Sequence, residues 1–126
     1  MMDQPSALEL VTAVREFIER HAIPQLQGHT AFHARVAANA LAIVARELDQ
    51  GAESSNEERG RLSALLGIEG TLEQQNRELC RRIRSEGISL DDPALGEHLR
   101  QTTLAKVAID QPNYSGFQFS PHKPGK

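Results

Sequence analysis

The sequence predicts an all-α protein, a bundle of four to five helices with a central, alanine-rich second helix and an irregular C-terminal tail. Three observations lead to this prediction. Apolar residues recur at helical spacing, capping patterns precede most helical segments, and no segment shows the alternation of a half-buried strand. The composition, 39% hydrophobic and 25% charged, is that of an ordinary globular chain. We expect one bundle domain over residues 1–110 and a separate tail over 111–126.

The first predicted helix begins at Ser6, which with Glu9 three residues later is typical of a capping box. Its apolar residues recur every three or four positions and predict one buried face. The helix ends at Pro24, because the residue before a proline is disfavoured in helical conformation.

The second predicted helix, FHARVAANALAIVARELDQG over residues 32–51, begins near Thr30 and ends at Gly51. Its apolar and alanine positions cover well over half of the helix circumference, which predicts burial among several neighbours. Arg35, Asn39 and Arg46 gather in a narrow polar strip. This strip either anchors acidic side chains of neighbouring helices or faces a subunit interface.

Three shorter helices are predicted to follow. A polar loop over residues 52–56 leads into a third helix that ends at Gly67. Thr71 begins the fourth helix, whose narrow apolar stripe indicates a peripheral position, and Gly87 is expected to adopt the left-handed conformation after it. The fifth begins at the pair Asp92-Pro93 and runs to about residue 110.

Histidines and arginines supply the candidate polar chemistry. His21, His29 and His33 lie near the first helix–helix turn, where they could ligate zinc, but we favour buried or half-buried, hydrogen-bonded histidines. The basic cluster on the fourth helix could contact an anion. A solvated face paired with glutamates is the favoured interpretation of that cluster, which consists of Arg77, Arg81, Arg82 and Arg84.

Several classes of protein are disfavoured. A net charge of −3 gives no electrostatic reason to expect binding to nucleic acid. The single Cys80 excludes an internal disulfide and suits a reducing compartment. The N-terminus lacks the pattern of a signal peptide, and no run of apolar residues is long enough to span a bilayer. We therefore expect a cytoplasmic protein without membrane association, metal, cofactor or catalytic residues.

The tail concentrates aromatic residues, namely Tyr114, Phe117 and Phe119. Aromatic residues are rare in disordered segments, so we expect the tail to pack along a groove of its own domain or of a neighbouring subunit. A partner protein is the other option.

Four segments carry a resemblance to a known family: LELVTAVREFIE, FHARVAANALAIVARELDQG, LCRRIRSEG and DDPALGEHLRQTTLAKVAIDQPNY. With these segments the chain resembles small, all-helical bacterial proteins of unknown function. Members of that family are encoded beside, or fused behind, aminoglycoside-phosphotransferase-like kinases, near acyl-CoA dehydrogenases. The resemblance implies an accessory to a kinase-like or acyl-CoA dehydrogenase protein and supplies no catalytic residue.

The leading functional hypothesis is a non-catalytic interaction module that binds such a partner and forms homo-oligomers. Its candidate binding or interface residues are His33, Arg35, Asn39, Arg46, Tyr114, Phe117 and Phe119. The alternative is a small-ligand-binding or enzymatic helical domain, with a pocket between helices near His33, Arg35 and Asn39.

Overall fold

The computed structural model describes residues 3–118, which contain α-helices, one π-helical turn and one 3-10 turn but no strand. The α-helices are α1 (Ala7–Phe17), α2 (Gly28–Leu66), α3 (Leu72–Arg84), α4 (Pro93–Asp110) and the short α5 (Ser115–Gln118). The predicted all-α fold is confirmed, and the predicted central second helix lies within the longer α2. The chain divides after Gly51 into two compact units.

The helix α2 is a single helix of 39 residues, so the predicted loop over residues 52–56 and a separate third helix are wrong. A polar segment does not by itself end a helix, whereas proline or a left-handed residue interrupts the backbone hydrogen bonds. Gly51 does not adopt a positive φ, whereas Gly67 has φ 71°. The helix therefore continues through Gly51 and ends before Gly67.

In the first unit, the predicted capping box of α1 is confirmed. The Ser6 N–H donates to Glu9 Oε2 at 2.7 Å, and the Glu9 N–H donates to Ser6 Oγ at 3.2 Å. The helical path then widens into a π-helical turn, Ile18–Ala22, where the N–H of Ile23 donates to the carbonyl of Ile18. The 3-10 turn that contains Pro24 completes the segment before α2 begins at Gly28.

Burial on α2 within the first unit is confined to small residues, namely Ala31, Ala38, Ala42 and Gly51. The expectation that the whole apolar arc would be buried is wrong, because four large side chains remain 44–58% exposed: Phe32, Val36, Val44 and Leu48. The described part of this unit contains one other α-helix, α1. The alanine side of α2 is therefore buried, whereas the side that carries these four residues stays in solvent.

The second unit has a leucine core, which consists of Leu62, Leu66, Leu79 and Leu95. The C-terminal part of α2, together with α3 and α4, supplies these side chains. Gln75 is fully buried beside them, and its Nε2 donates to Ser63 Oγ at 2.9 Å and to the Ile68 carbonyl at 3.1 Å. This amide therefore ties α3 to α2 and to the segment between them.

The helix ends of this unit follow the predicted capping patterns with one exception. Thr71 and Gln74 form the capping box of α3, and Asp92 caps α4 by accepting the Ala94 N–H at 2.9 Å. The left-handed residue after α3 is Glu86, with φ 59°, so the prediction of Gly87 is wrong. The Gly87 N–H instead donates to the Arg82 carbonyl at 2.9 Å, the longer hydrogen bond of a Schellman motif, which requires the left-handed residue one position earlier.

Across the described part of the chain, no helix combines the length and hydropathy needed to cross a bilayer.

Candidate functional site

An exposed apolar face runs along α1 in the first unit. It consists of Leu10, Val14 and Phe17, which are 43%, 51% and 60% exposed. Their spacing of four and three residues places them on one side of the helix. We refer to these three residues as the α1 apolar face.

A second exposed apolar surface belongs to α2 in the same unit. The four large side chains Phe32, Val36, Val44 and Leu48 lie at intervals of four or eight residues, so they form one i+4 ridge along the helix. The helical period places this ridge roughly opposite the buried Ala31, Ala38 and Ala42. We refer to it as the α2 apolar ridge.

The four polar α2 residues predicted as binding residues lie on or beside the α2 apolar ridge. His33, Arg35 and Asn39 are exposed, and Arg46 is half-buried. The helical period places Arg35, Asn39 and Arg46 between the buried alanine stripe and the α2 apolar ridge. The ring of His33 lies 5.5 Å from that of Phe32 at 71°, in an edge arrangement. Their role in binding stays a prediction.

The expectation that the three N-terminal histidines would be buried or half-buried is wrong, since His21, His29 and His33 are exposed. His21 extends the α1 apolar face, with its ring 6.0 Å from that of Phe17. Phe17 and Phe32, the large apolar residues next to His21 and His33, are themselves exposed, and the two histidines share that environment. Among residues 3–118, no three histidine, cysteine or acidic side chains gather as metal ligands.

The predicted tail aromatics have different environments. Tyr114 is 60% exposed, whereas Phe117 in α5 is buried, and α5 contacts α4. Phe119 lies outside the described residues. Phe117 therefore packs within its own chain, and Tyr114 is the accessible aromatic residue of the described part of the tail.

Three of the four arginines of the cluster on α3 are paired with glutamates, which agrees with the interpretation as a glutamate-paired face. Arg77 pairs with Glu73 at 2.8 Å, while Arg81 and Arg82 both pair with Glu78 at 2.6 and 2.8 Å. Hydrogen bonds from Arg81 and Arg82 lower the pKa of Glu78 from 4.5 to about 2.

The second unit contains a pocket of about 460 Å³ between the C-terminal part of α2 and the start of α4. We refer to it as the α4 pocket. Its lining combines charged and small apolar side chains: Arg61, Ala64, Leu65, Asp92, Ala94, Glu97 and His98.

Two groups of the α4 pocket are buried without hydrogen-bond partners. His98 is 4% exposed, and its Nδ1 has no partner. The Nε of Arg61 is likewise buried and unpartnered, while its Nη2 donates to Thr102 Oγ1 at 3.1 Å. Desolvation and the nearby Arg61 charge lower the pKa of His98, although Glu58 opposes the shift, and the imidazole is therefore neutral near pH 7.

Neither Arg61 nor His98 is among the site residues predicted from the sequence. His98 follows the buried Leu95 by three residues, and Arg61 precedes the partly buried Leu65 by four. Both therefore lie at core spacing on their helices, a signal that could have identified them as buried polar residues. Their proximity across 37 positions of sequence depends on tertiary packing.

The fold and these surfaces define the chain as an all-α helical domain that exposes apolar surface on one unit and contains a polar pocket in the other. The family described as Domain of unknown function (DUF6285) matches residues 24–114, and the chain belongs to this family. The matched region includes the α2 apolar ridge and the α4 pocket. No match was found among curated proteins or among solved structures.

Proposed function

We propose that this protein is a non-catalytic interaction module that binds a protein partner through the apolar surfaces of its first unit. The resemblance of the sequence suggests the partner, an aminoglycoside-phosphotransferase-like kinase or an acyl-CoA dehydrogenase encoded nearby. The proposal includes a cytoplasmic location, which the single Cys80 supports.

The observation that carries this proposal is the unequal distribution of exposed apolar side chains. Of ten large hydrophobic residues exposed in the described chain, seven belong to the first unit, on the α1 apolar face and the α2 apolar ridge. Single exposed apolar residues need no explanation, but sets that follow one helix face mark interaction sites.

Phe17 and Phe32 are the expected anchors of the interface, because they are the largest exposed side chains of the two surfaces. Each aromatic ring buries a large apolar area upon docking, and such residues supply a large share of binding energy at protein interfaces. Arg35 and Asn39 lie at the border of the α2 apolar ridge, where polar rim residues set register and partner choice.

The direct test measures binding of the purified chain to the purified kinase-like protein and to the acyl-CoA dehydrogenase by isothermal titration calorimetry. We expect Phe32→Ser to weaken binding about tenfold or more. Leu90→Ser is the matched control, since Leu90 is 77% exposed in the second unit, and it should leave the affinity unchanged. Tyr114→Ser tests the contribution of the tail segment without removing the buried Phe117.

Absence of binding to both proteins would overturn the proposal, as would equal effects of Phe32→Ser and Leu90→Ser. Circular dichroism of each variant separates loss of binding from loss of fold.

Homo-oligomer formation is the second part of the proposal, because an apolar ridge on one copy presents a complementary surface to the same ridge on another copy. Sedimentation velocity over a concentration series measures it. We expect a dimer whose population falls in Phe32→Ser. A strict monomer at all concentrations would contradict homo-oligomer formation.

The sequence-based alternative, a small-ligand or enzymatic pocket near His33, Arg35 and Asn39, is the weaker candidate. All three side chains are exposed, an environment that favours contact with a macromolecular surface over enclosure of a small ligand.

A further inference from the structure

We propose that the α4 pocket binds a small organic ligand through its carboxylate, with Arg61 and His98 as the recognising residues. This inference is independent of the proposed interaction module, since it concerns different residues in the second unit.

Arg61 supplies the charge for this recognition. Its guanidinium forms no ion pair in the described chain, and its only hydrogen bond is to the neutral Thr102 hydroxyl. An arginine is always charged, and a partly buried charge without a counter-charge is costly. The planar guanidinium presents parallel N–H donors that match the two oxygens of a carboxylate.

His98 adds a second polar group to the same pocket. Its side chain is almost completely buried, and its unpartnered Nδ1 lacks the hydrogen bond that buried polar atoms normally form. In the Nδ1–H tautomer, the neutral imidazole donates one hydrogen bond to a ligand oxygen. A ligand that accepts from both Arg61 and His98 would satisfy the two orphaned atoms together.

None of the acidic residues at the pocket forms an ion pair with Arg61 in the described chain, and each has another hydrogen-bond partner. Asp92 accepts the Ala94 N–H as the helix cap, and Glu97 accepts from Arg100 at 2.6 Å and from Gln101 at 2.7 Å. Glu58, which lies near His98, accepts from Asn76 at 3.2 Å. The unused hydrogen-bonding capacity of the pocket therefore includes the Nε–H of Arg61, which has no acceptor in the described chain.

The remaining walls indicate an organic acid in preference to an inorganic anion. Ala64, Leu65 and Ala94 provide apolar surface beside the charged pair, and a volume of about 460 Å³ falls within the range of small-molecule sites. An aliphatic body would cover this surface while the carboxylate meets Arg61.

The test titrates the ¹⁵N-labelled full chain with butyrate, with butyramide as its neutral counterpart and with inorganic phosphate. We expect saturable shifts of the amides of residues 61–65 and 94–98 with butyrate at millimolar concentration. Butyramide and phosphate should each bind at least about tenfold more weakly. Equal binding of butyrate and butyramide, tighter binding of phosphate or the absence of saturation would overturn the proposal.

Arg61→Gln should reduce butyrate affinity about tenfold or more, whereas Arg77→Gln is the matched control on an exposed, glutamate-paired arginine. If Arg61→Gln fails to fold, titration of the wild-type His98 ring provides the second measurement. A bound carboxylate should raise the pKa of His98, and an unchanged pKa at saturating butyrate would contradict the assignment.

Discussion

The first unit buries alanines and exposes large apolar side chains, whereas the second unit buries leucines together with Gln75 and His98. Alanine allows close approach between helices but removes little apolar area from water per residue. Leucine burial removes more and builds a core. The same helical spacing of apolar residues therefore forms a core in the second unit and leaves an accessible apolar surface in the first.

The largest expected effect comes from matched Leu→Ala substitutions in the two units. Leu95→Ala should lower the free energy of unfolding by about 2–5 kcal/mol, because it creates a cavity where the side chain is 1% exposed. Leu48→Ala, at a position 47% exposed, should change it by less than about 0.5 kcal/mol. Urea unfolding followed by circular dichroism measures both, and similar losses would contradict the difference between the units.

Enlargement of a buried alanine tests the close packing of the first unit. Ala38→Leu should destabilise the fold by about 1–3 kcal/mol, because Ala38 is 2% exposed and a larger side chain must displace its neighbours. Ala40→Leu is the control on the exposed side of α2. The melting temperatures of the two variants are compared by thermal unfolding. An Ala38→Leu variant as stable as Ala40→Leu would show that the buried alanine side of α2 is loosely packed.

The buried histidine of the second unit predicts a specific pH dependence of stability. Burial lowers the pKa of His98, so the unfolded chain binds the proton more readily than the folded chain does. The stability associated with the neutral, buried His98 is therefore fully present above the ordinary pKa of 6.5. It is lost as the pH falls below that value.

Urea unfolding between pH 5 and pH 8 should show stability rising with pH in the wild type, and His98→Gln should flatten that rise. His33→Gln, at an exposed position, is the control. Identical pH profiles of wild type and His98→Gln would contradict the assigned burial.

The smallest effect is expected at Glu78 on the exposed face of α3. The pKa of Glu78 is lowered to about 2. The ionised carboxylate therefore stabilises the folded chain above the ordinary pKa of 4.5, and this stabilisation is lost as the pH falls toward 2. Melting temperatures between pH 2 and pH 5 should decline less steeply in Glu78→Gln. Solvent screening keeps this effect small, and an unchanged slope would show that the ion pairs contribute nothing.

The predictable part of the fold depended on local signals. The local signals are the capping boxes at Ser6 and Thr71, the Asp92 cap of α4 and the glutamate-paired arginines of α3. All of them join residues two to four positions apart. Such patterns are read directly from the sequence because the interacting groups are neighbours on one helix.

The parts that sequence did not predict depend on tertiary packing. The apolar arc of residues 32–48 does not reveal how many neighbours will cover it, and the buried Gln75 depends on acceptors up to 16 positions away. Arg61 and His98 come from separate helices, so local spacing cannot show that they line one pocket. Glycine can adopt either the helical or the left-handed conformation. The sequence therefore could not show that Gly51 stays helical and that α2 continues through it.

The most direct test of the central claim is a hydrogen-exchange footprint of the chain mixed with each proposed partner, the kinase-like protein and the acyl-CoA dehydrogenase. We predict that protection on binding concentrates in residues 10–17 and 32–48, the segments of the α1 apolar face and the α2 apolar ridge. Protection confined to the second unit, or no change at these two segments in a saturated complex, would contradict it.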